Sequence, residues 1–125
     1  MPLTVGNIVL RVDDLELEAA FWAAALGYER RTVEADDFAQ VVSPDRSGPS
    51  ISFDRYRAAQ RVPPRIHLDL FSEDQAGEVR RLEGLGARQV HWDRRPADAD
   101  YVIMEDPEGN RFCVVDTSAD GGRAR

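Results

Sequence analysis

Cysteine, basic residues and long apolar segments are all scarce in this sequence of 125 residues. The single cysteine, Cys113, excludes an intrachain disulfide and favours a reducing compartment. The longest uninterrupted apolar run, residues 19–26, is far shorter than the roughly 20 residues that cross a bilayer. Sixteen basic residues against 23 acidic ones give a net charge of −7, which disfavours nucleic acid and anionic membrane surfaces as partners. We therefore expect a cytoplasmic protein.

The sequence does contain an internal repeat. Each half opens with an alternating strand pattern, continues with a helical pattern and closes on Leu-Gly, at Leu26-Gly27 and at Leu85-Gly86. Further strands are predicted at residues 28–33, 38–42 and 51–56 and at residues 89–92, 101–105 and 112–116. Each half is therefore strand–helix–strand–strand–strand within a single domain. The predicted boundaries are a first module at residues 5–56, a linker at 57–64, a second module at 65–116 and a flexible tail at 117–125.

The first strand of each half has one apolar face and one mixed face, because successive side chains on a strand point to opposite sides. The apolar faces consist of Ile8, Leu10 and Val12 and of Ile66, Leu68 and Leu70. The mixed faces consist of Asn7, Val9 and Arg11 and of Arg65, His67 and Asp69. Capping residues place the helix starts near Asp13 or Asp14 and, in capping-box spacing with Gln75, at Ser72. Each helix is expected to cover the apolar face of its own sheet.

Several short motifs follow one another in a specific order. They are Val12-Asp13-Asp14-Leu15 with Ala20-Phe21-Trp22, Leu26-Gly27-Tyr28, His67-Leu68-Asp69-Leu70 and Asp106-Pro107-Glu108-Gly109-Asn110-Arg111-Phe112. Over residues 5–116 the chain resembles the glyoxalase/bleomycin-resistance/dioxygenase (vicinal oxygen chelate) superfamily, most of all its glyoxalase-like domain proteins. The resemblance implies an α+β fold of two βαβββ modules, whose curved mixed sheets surround a central cavity and carry the helices on their outer faces. It also implies a homodimer.

The resemblance further implies where a metal site would lie. Metal-using members place His, Glu or Gln on the cavity face of the first and last strands of each module. The matching positions here are Asn7, Ser52 or Asp54, Arg65 or His67, and Cys113. Arg65 results from aligning the strands, and His67 from aligning the helix starts. A set with a fixed arginine cation is a poor metal site, so we predict no cofactor. The alternative is a degenerate divalent-metal site that uses His67 with Asp54 or Asp69.

The resemblance makes the face of His67 the wall of the cavity, and His67 is therefore the leading catalytic candidate. Its imidazole is predicted to act as a general acid or base, assisted by Asp69 or Asp54. The competing interpretation is a histidine hydrogen-bonded within a polar sheet face. Asp69 could instead pair with Arg11, and Asp54 could end a solvated strand.

Ligand contacts are predicted from strands that should wall the same cavity. The predicted ligand-binding residues are Asn7, Arg65, Trp92, Tyr101 and Cys113. The aromatic rings of Trp92 and Tyr101 would stack on a flat ligand. For Cys113 the competing interpretation is a small buried hydrophobe, because nothing beside it in the sequence would lower its pKa.

These residues predict a small-molecule-binding protein in which His67 catalyses metal-independent acid–base chemistry of isomerase, cyclase or lyase type. Superfamily enzymes include lyases, isomerases and ring-cleaving dioxygenases, whereas other members bind antibiotics without chemistry. Two alternatives therefore stay open: a divalent-metal-dependent lyase or dioxygenase, and a non-catalytic protein that sequesters a ligand or antibiotic.

Overall fold

The computed structural model describes residues 4–32, 36–55, 64 and 66–118. The chain divides into two units, Met1–Ala59 and Gln60–Arg125. Each unit has an open four-stranded mixed sheet and one helix, in the order β-α-β-β-β. This arrangement confirms the predicted α+β fold of two βαβββ modules. The predicted linker and tail lie mostly outside the described residues.

The first unit folds around a sheet in which its first and last strands are neighbours. Its elements are β1 (Asn7–Arg11), α1 (Leu15–Leu26), β2 (Glu29–Arg31), β3 (Phe38–Val42) and β4 (Ser50–Asp54). The strand order is β1-β4-β3-β2, with β1 parallel to β4 and the other pairs antiparallel. The sheet and helix enclose a core whose largest fully buried apolar side chains are Trp22 and Phe53. Burial of these aromatic rings is a main source of stability for this unit.

The second unit repeats the same topology. Its elements are β5 (Leu68–Ser72), α2 (Gln75–Gly84), β6 (Arg88–Gln89), β7 (Tyr101–Glu105) and β8 (Arg111–Asp116). The strand order is β5-β8-β7-β6, and β5 is parallel to β8. Phe112 and Met104 are fully buried, and Val79 and Leu82 of α2 are also buried. No helix among the described residues is long and apolar enough to cross a membrane.

The two helices begin at equivalent aspartates. The Asp14 carboxylate accepts a hydrogen bond from the backbone N–H of Leu17 at 3.1 Å, and the Asp74 carboxylate accepts one from Gly77 at 3.1 Å. These caps satisfy backbone donors that the first helical turn leaves open. The predicted start at Asp14 is thus confirmed. The predicted cap at Ser72 is wrong, because the Ser72 hydroxyl accepts from the backbone N–H of Asp74 instead.

Aligning the helix caps settles the register between the two halves. Asp14 and Asp74 occupy the same position, which makes His67 rather than Arg65 the counterpart of Asn7. The strand pairing agrees with this alignment. Val9 is the register partner of Ser52, and Asp69 is the register partner of Cys113. The alignment that matches Val9 with Asp69 therefore also matches Ser52 with Cys113.

Two details of the predicted strands need correction. Strand β5 begins at Leu68, so Ile66 precedes it and is 85% exposed instead of lying on the apolar face. The strand predicted at 89–92 is only Arg88–Gln89. Trp92 therefore lies in the connection that follows β6, where the alternating pattern of a strand no longer decides its direction.

Candidate functional site

The parallel pairing of β5 with β8 places two predicted catalytic residues beside Cys113. Asp69 is the register partner of Cys113, and His67 directly precedes β5. His67 Nε2 lies 3.0 Å from Asp69 Oδ1. A carboxylate at this distance accepts the imidazole N–H and orients the ring. The side chains of His67 and Asp69 are 45% and 49% exposed, so a ligand can reach both.

This face of the second sheet forms part of a cavity of about 440 Å³. Such a volume falls within the roughly 300–1,000 Å³ of small-molecule sites. The apolar and aromatic lining consists of Pro64, Trp92, Tyr101, Ile103, Phe112 and Val115. The polar lining consists of His67, Asp69, Asp100, Arg111 and Cys113. An apolar cavity with a few convergent polar groups is the usual form of a ligand site.

Tyr101 is held in the cavity wall by Arg95. The Arg95 Nε donates a hydrogen bond to the Tyr101 carbonyl at 3.0 Å, and its Nη2 donates to the same oxygen. The guanidinium carbon lies 5.4 Å from the centroid of the Tyr101 ring, within cation–π range. Both interactions restrict the position of Tyr101 in the cavity wall.

Cys113 is a buried thiol and not an activated nucleophile. Its removal from water raises its pKa from 9.0 to about 11, and the negative charge of Asp69 adds to the rise. The positive charges of Arg111 and Arg95 offset part of this increase. The thiol is therefore protonated at neutral pH, whereas nucleophilic attack requires the thiolate.

His67, Asp69 and Cys113 form the one cluster of potential metal donors found in the described part of the chain. Their donor atoms all lie within 4.8 Å of one another. The 3.0 Å between the imidazole nitrogen and the carboxylate oxygen suits two ligands bound at about 2.0–2.2 Å to one zinc ion. A thiolate–imidazole–carboxylate set favours a borderline ion such as zinc. The donors fit, on condition that Cys113 releases its proton.

Two predicted site residues, Asn7 and Asp54, are not part of this cavity. Asn7 Oδ1 accepts a hydrogen bond from Ser52 Oγ at 2.9 Å, in the first unit. Asp54 Oδ1 lies 3.4 Å from Arg11 Nη1, so Arg11 pairs with Asp54 and Asp69 pairs with His67. Arg65 lies outside the described residues. The structure thus brings together five of the eight predicted site residues: His67, Asp69, Trp92, Tyr101 and Cys113.

Sequence reasoning missed two charged residues of the cavity, Arg111 and Asp100. For Arg111 a signal was present, because it alternates with Phe112 and shares the face of Cys113 on β8. Asp100 precedes β7 in a connection with no periodicity, so nothing in the sequence indicated its direction.

Two βαβββ units with a ligand-sized cavity against one sheet define the class of the protein: it has the architecture of the glyoxalase/bleomycin-resistance/dioxygenase superfamily. The sequence profile of the glyoxalase-like domain family matches residues 7–115. The chain therefore belongs to the glyoxalase-like domain family. No curated protein matches the chain.

Solved structures share the fold at low identity. A glyoxalase/bleomycin resistance protein/dioxygenase family enzyme from Burkholderia phytofirmans is 13% identical, with a TM-score of 0.69 over 91% of this chain and 98% of that chain. The fosfomycin resistance protein FosX from Listeria monocytogenes is 18% identical, with a TM-score of 0.72 over 93% and 92%. Lactoylglutathione lyase from Agrobacterium tumefaciens is 21% identical, with a TM-score of 0.61 over 96% and 98%. A FosX mutant was solved with Mn(II) and a dihydroxypropylphosphonic acid.

Proposed function

We propose that the protein binds a small organic molecule in the cavity of the second unit and that His67 transfers a proton to or from it. The observation that carries the proposal is the His67–Asp69 pair, 3.0 Å apart, at the wall of a 440 Å³ cavity. Imidazole is the commonest general acid or base, and a hydrogen-bonded carboxylate keeps its ring in one orientation. Isomerisation, cyclisation and elimination all require such a proton transfer.

The roles in this proposal follow from position. His67 would touch the reacting atom, and Asp69 would position His67. Trp92 and Tyr101 would contact the body of the ligand through their aromatic surfaces. Asp54 is left out, because its carboxylate pairs with Arg11 in the first unit. A cytoplasmic location and a homodimer remain part of the proposal, supported by the amino-acid composition and by the likeness to the superfamily.

Ligand binding can be measured through Trp92. The chain has two tryptophans, and Trp22 is only 1% exposed in the core of the first unit. A ligand in the cavity is expected to change the fluorescence of Trp92 alone, because quenching requires close contact. In Trp92→Phe the change should disappear, while the emission of Trp22 serves as the internal reference. A saturable change that persists in Trp92→Phe would place the ligand elsewhere.

The second candidate is a divalent-metal-dependent reaction, favoured by the cluster of His67, Asp69 and Cys113. These three residues would hold the ion, and a bound ion would supply Lewis-acid polarisation of a substrate oxygen. The likeness to a structure solved with Mn(II) supports a divalent ion. The thiol of this chain, however, favours a softer ion than manganese.

Cobalt(II) provides a direct test of the metal candidate. Binding of about one ion per chain should produce the near-ultraviolet absorption of a cobalt–thiolate bond, and Cys113→Ser should remove this band and weaken binding by at least about tenfold. Affinity should rise with pH, because a thiol with a pKa of about 11 must lose its proton to bind. His91→Ala is the control, since His91 lies outside the cavity. Unchanged affinity in Cys113→Ser would contradict this candidate and leave metal-independent proton transfer.

A further inference from the structure

Arg111 lines the cavity, and none of the residues that the structure describes supplies a counterion to it. Its guanidinium makes no hydrogen bond or ion pair within residues 4–32, 36–55, 64 and 66–118. Its neighbour across the β7–β8 pair is Glu105, whose Oε1 accepts from Arg88 Nε at 3.1 Å. The β7 carboxylate opposite Arg111 is therefore bound to a different arginine. Arg111 is a lining residue of the cavity, and its positive charge offsets part of the rise in the pKa of Cys113.

Other charged groups at the cavity or beside it have protein interactions of their own. Arg95 is committed to the Tyr101 carbonyl and ring, and Asp69 is paired with His67. Asp100 also lines the cavity and contributes a second negative charge. A half-buried guanidinium carries five donors that need acceptors. One carboxylate of a ligand supplies two coplanar acceptors, and its single negative charge matches the single positive charge of the guanidinium. Asp69 and Asp100 repel any anion, and they would repel a phosphonate dianion more strongly than a singly charged carboxylate.

We propose that Arg111 anchors the carboxylate of a small organic acid whose apolar body lies against Trp92 and Tyr101. This inference rests on the proposed function and names its ligand class. Continuing the parallel register from the Leu68–Phe112 pair places Arg111 next to His67. A carboxylate bound to Arg111 therefore brings the carbon beside it toward the imidazole. That carbon is the site from which a base most readily removes a proton when it also neighbours a carbonyl group.

Three compounds with one phenyl ring and different head groups test this anchor: benzoate, benzamide and phenylphosphonate. Dissociation constants are measured by calorimetric titration at low ionic strength and mildly alkaline pH, where phenylphosphonate is a dianion. We expect benzoate to bind at least about tenfold more tightly than either other compound, because only it forms the charge-matched bidentate pair. Arg111→Gln should lower benzoate affinity to that of benzamide without changing the latter. Arg111→Lys keeps the positive charge but loses the paired N–H donors of the guanidinium. It should therefore retain part of the difference in affinity between benzoate and benzamide.

Arg80→Gln is the matched control, because Arg80 is an exposed residue of α2 outside the cavity and its loss alters net charge equally. Equal binding of all three compounds, with the Trp92 response retained, would overturn the carboxylate anchor while supporting the cavity as a ligand site. Tighter binding of phenylphosphonate, lost in Arg111→Gln, would overturn the carboxylate class. Absence of binding by all three, with no Trp92 response, would overturn both the anchor and this use of the cavity.

Discussion

Replacing His67 with alanine is expected to lower the rate of proton exchange on a bound ligand by about 10²–10⁴, the usual contribution of general acid–base catalysis. Binding should change by less than about threefold, because the apolar wall and Arg111 remain. The exchange is followed by proton NMR in deuterium oxide, as loss of a C–H signal from ligands that change Trp92 fluorescence. The loss of rate without loss of affinity would assign the chemistry to the imidazole.

The chain contains its own control for this experiment. It has two histidines, and His91 Nε2 lies 3.0 Å from Asp93 Oδ1, the same distance as in the His67–Asp69 pair. The side chains of His91 and Asp93 are 88% and 93% exposed and do not line the cavity. His91→Ala should therefore leave exchange unchanged. If the unmodified protein binds ligands without any exchange, proton transfer is wrong and the protein sequesters its ligand.

Replacing Asp106 with alanine is expected to destabilise the protein by roughly 3–5 kcal/mol. Asp106 is fully buried in the turn between β7 and β8. Its Oδ1 accepts hydrogen bonds from the backbone N–H groups of Glu108 at 3.0 Å and Asn110 at 2.9 Å, and Oδ2 accepts from Asn110 Nδ2 at 3.0 Å. Alanine would leave these donors unsatisfied, and hydrogen bonds to a charged acceptor are the strong ones.

Denaturant titration and thermal melting measure this effect. The melting temperature of Asp106→Ala should fall by about 10 °C or more. Asp45→Ala is the matched control, since Asp45 lies in the corresponding turn of the first unit but is exposed and accepts from the backbone N–H of Ser47 at 3.0 Å. Its replacement should cost less than about 1 kcal/mol. Equal stability of the two variants would show that the Asp106 hydrogen bonds do not hold the β7–β8 turn.

Local sequence was sufficient for most of the fold. Strand alternation, the Asp14 cap and the positive φ of 67° at Gly27 depend on residues close in the chain, and the repeat then extends the same pattern to the second unit. The predictions of strand ends were wrong where the pattern of neighbouring residues does not decide the structure. Ile66 keeps the alternation of β5 but precedes the strand, and the ladder hydrogen bonds that would extend β5 are set by β8 and not by Ile66 itself.

The two His–Asp pairs show which features of the site the sequence determines and which features require the tertiary structure. Residues two apart in extended chain lie on the same side, so the sequence alone determines that His67 can meet Asp69 and that His91 can meet Asp93. It does not determine which pair has a cavity in front of it. The register of β5 against β8, formed by residues more than 40 positions apart, decided that Asp69 stands beside Cys113 and that Arg111 joins the same wall. Side-chain direction is a local property of the chain, whereas a cavity exists only once distant strands have paired.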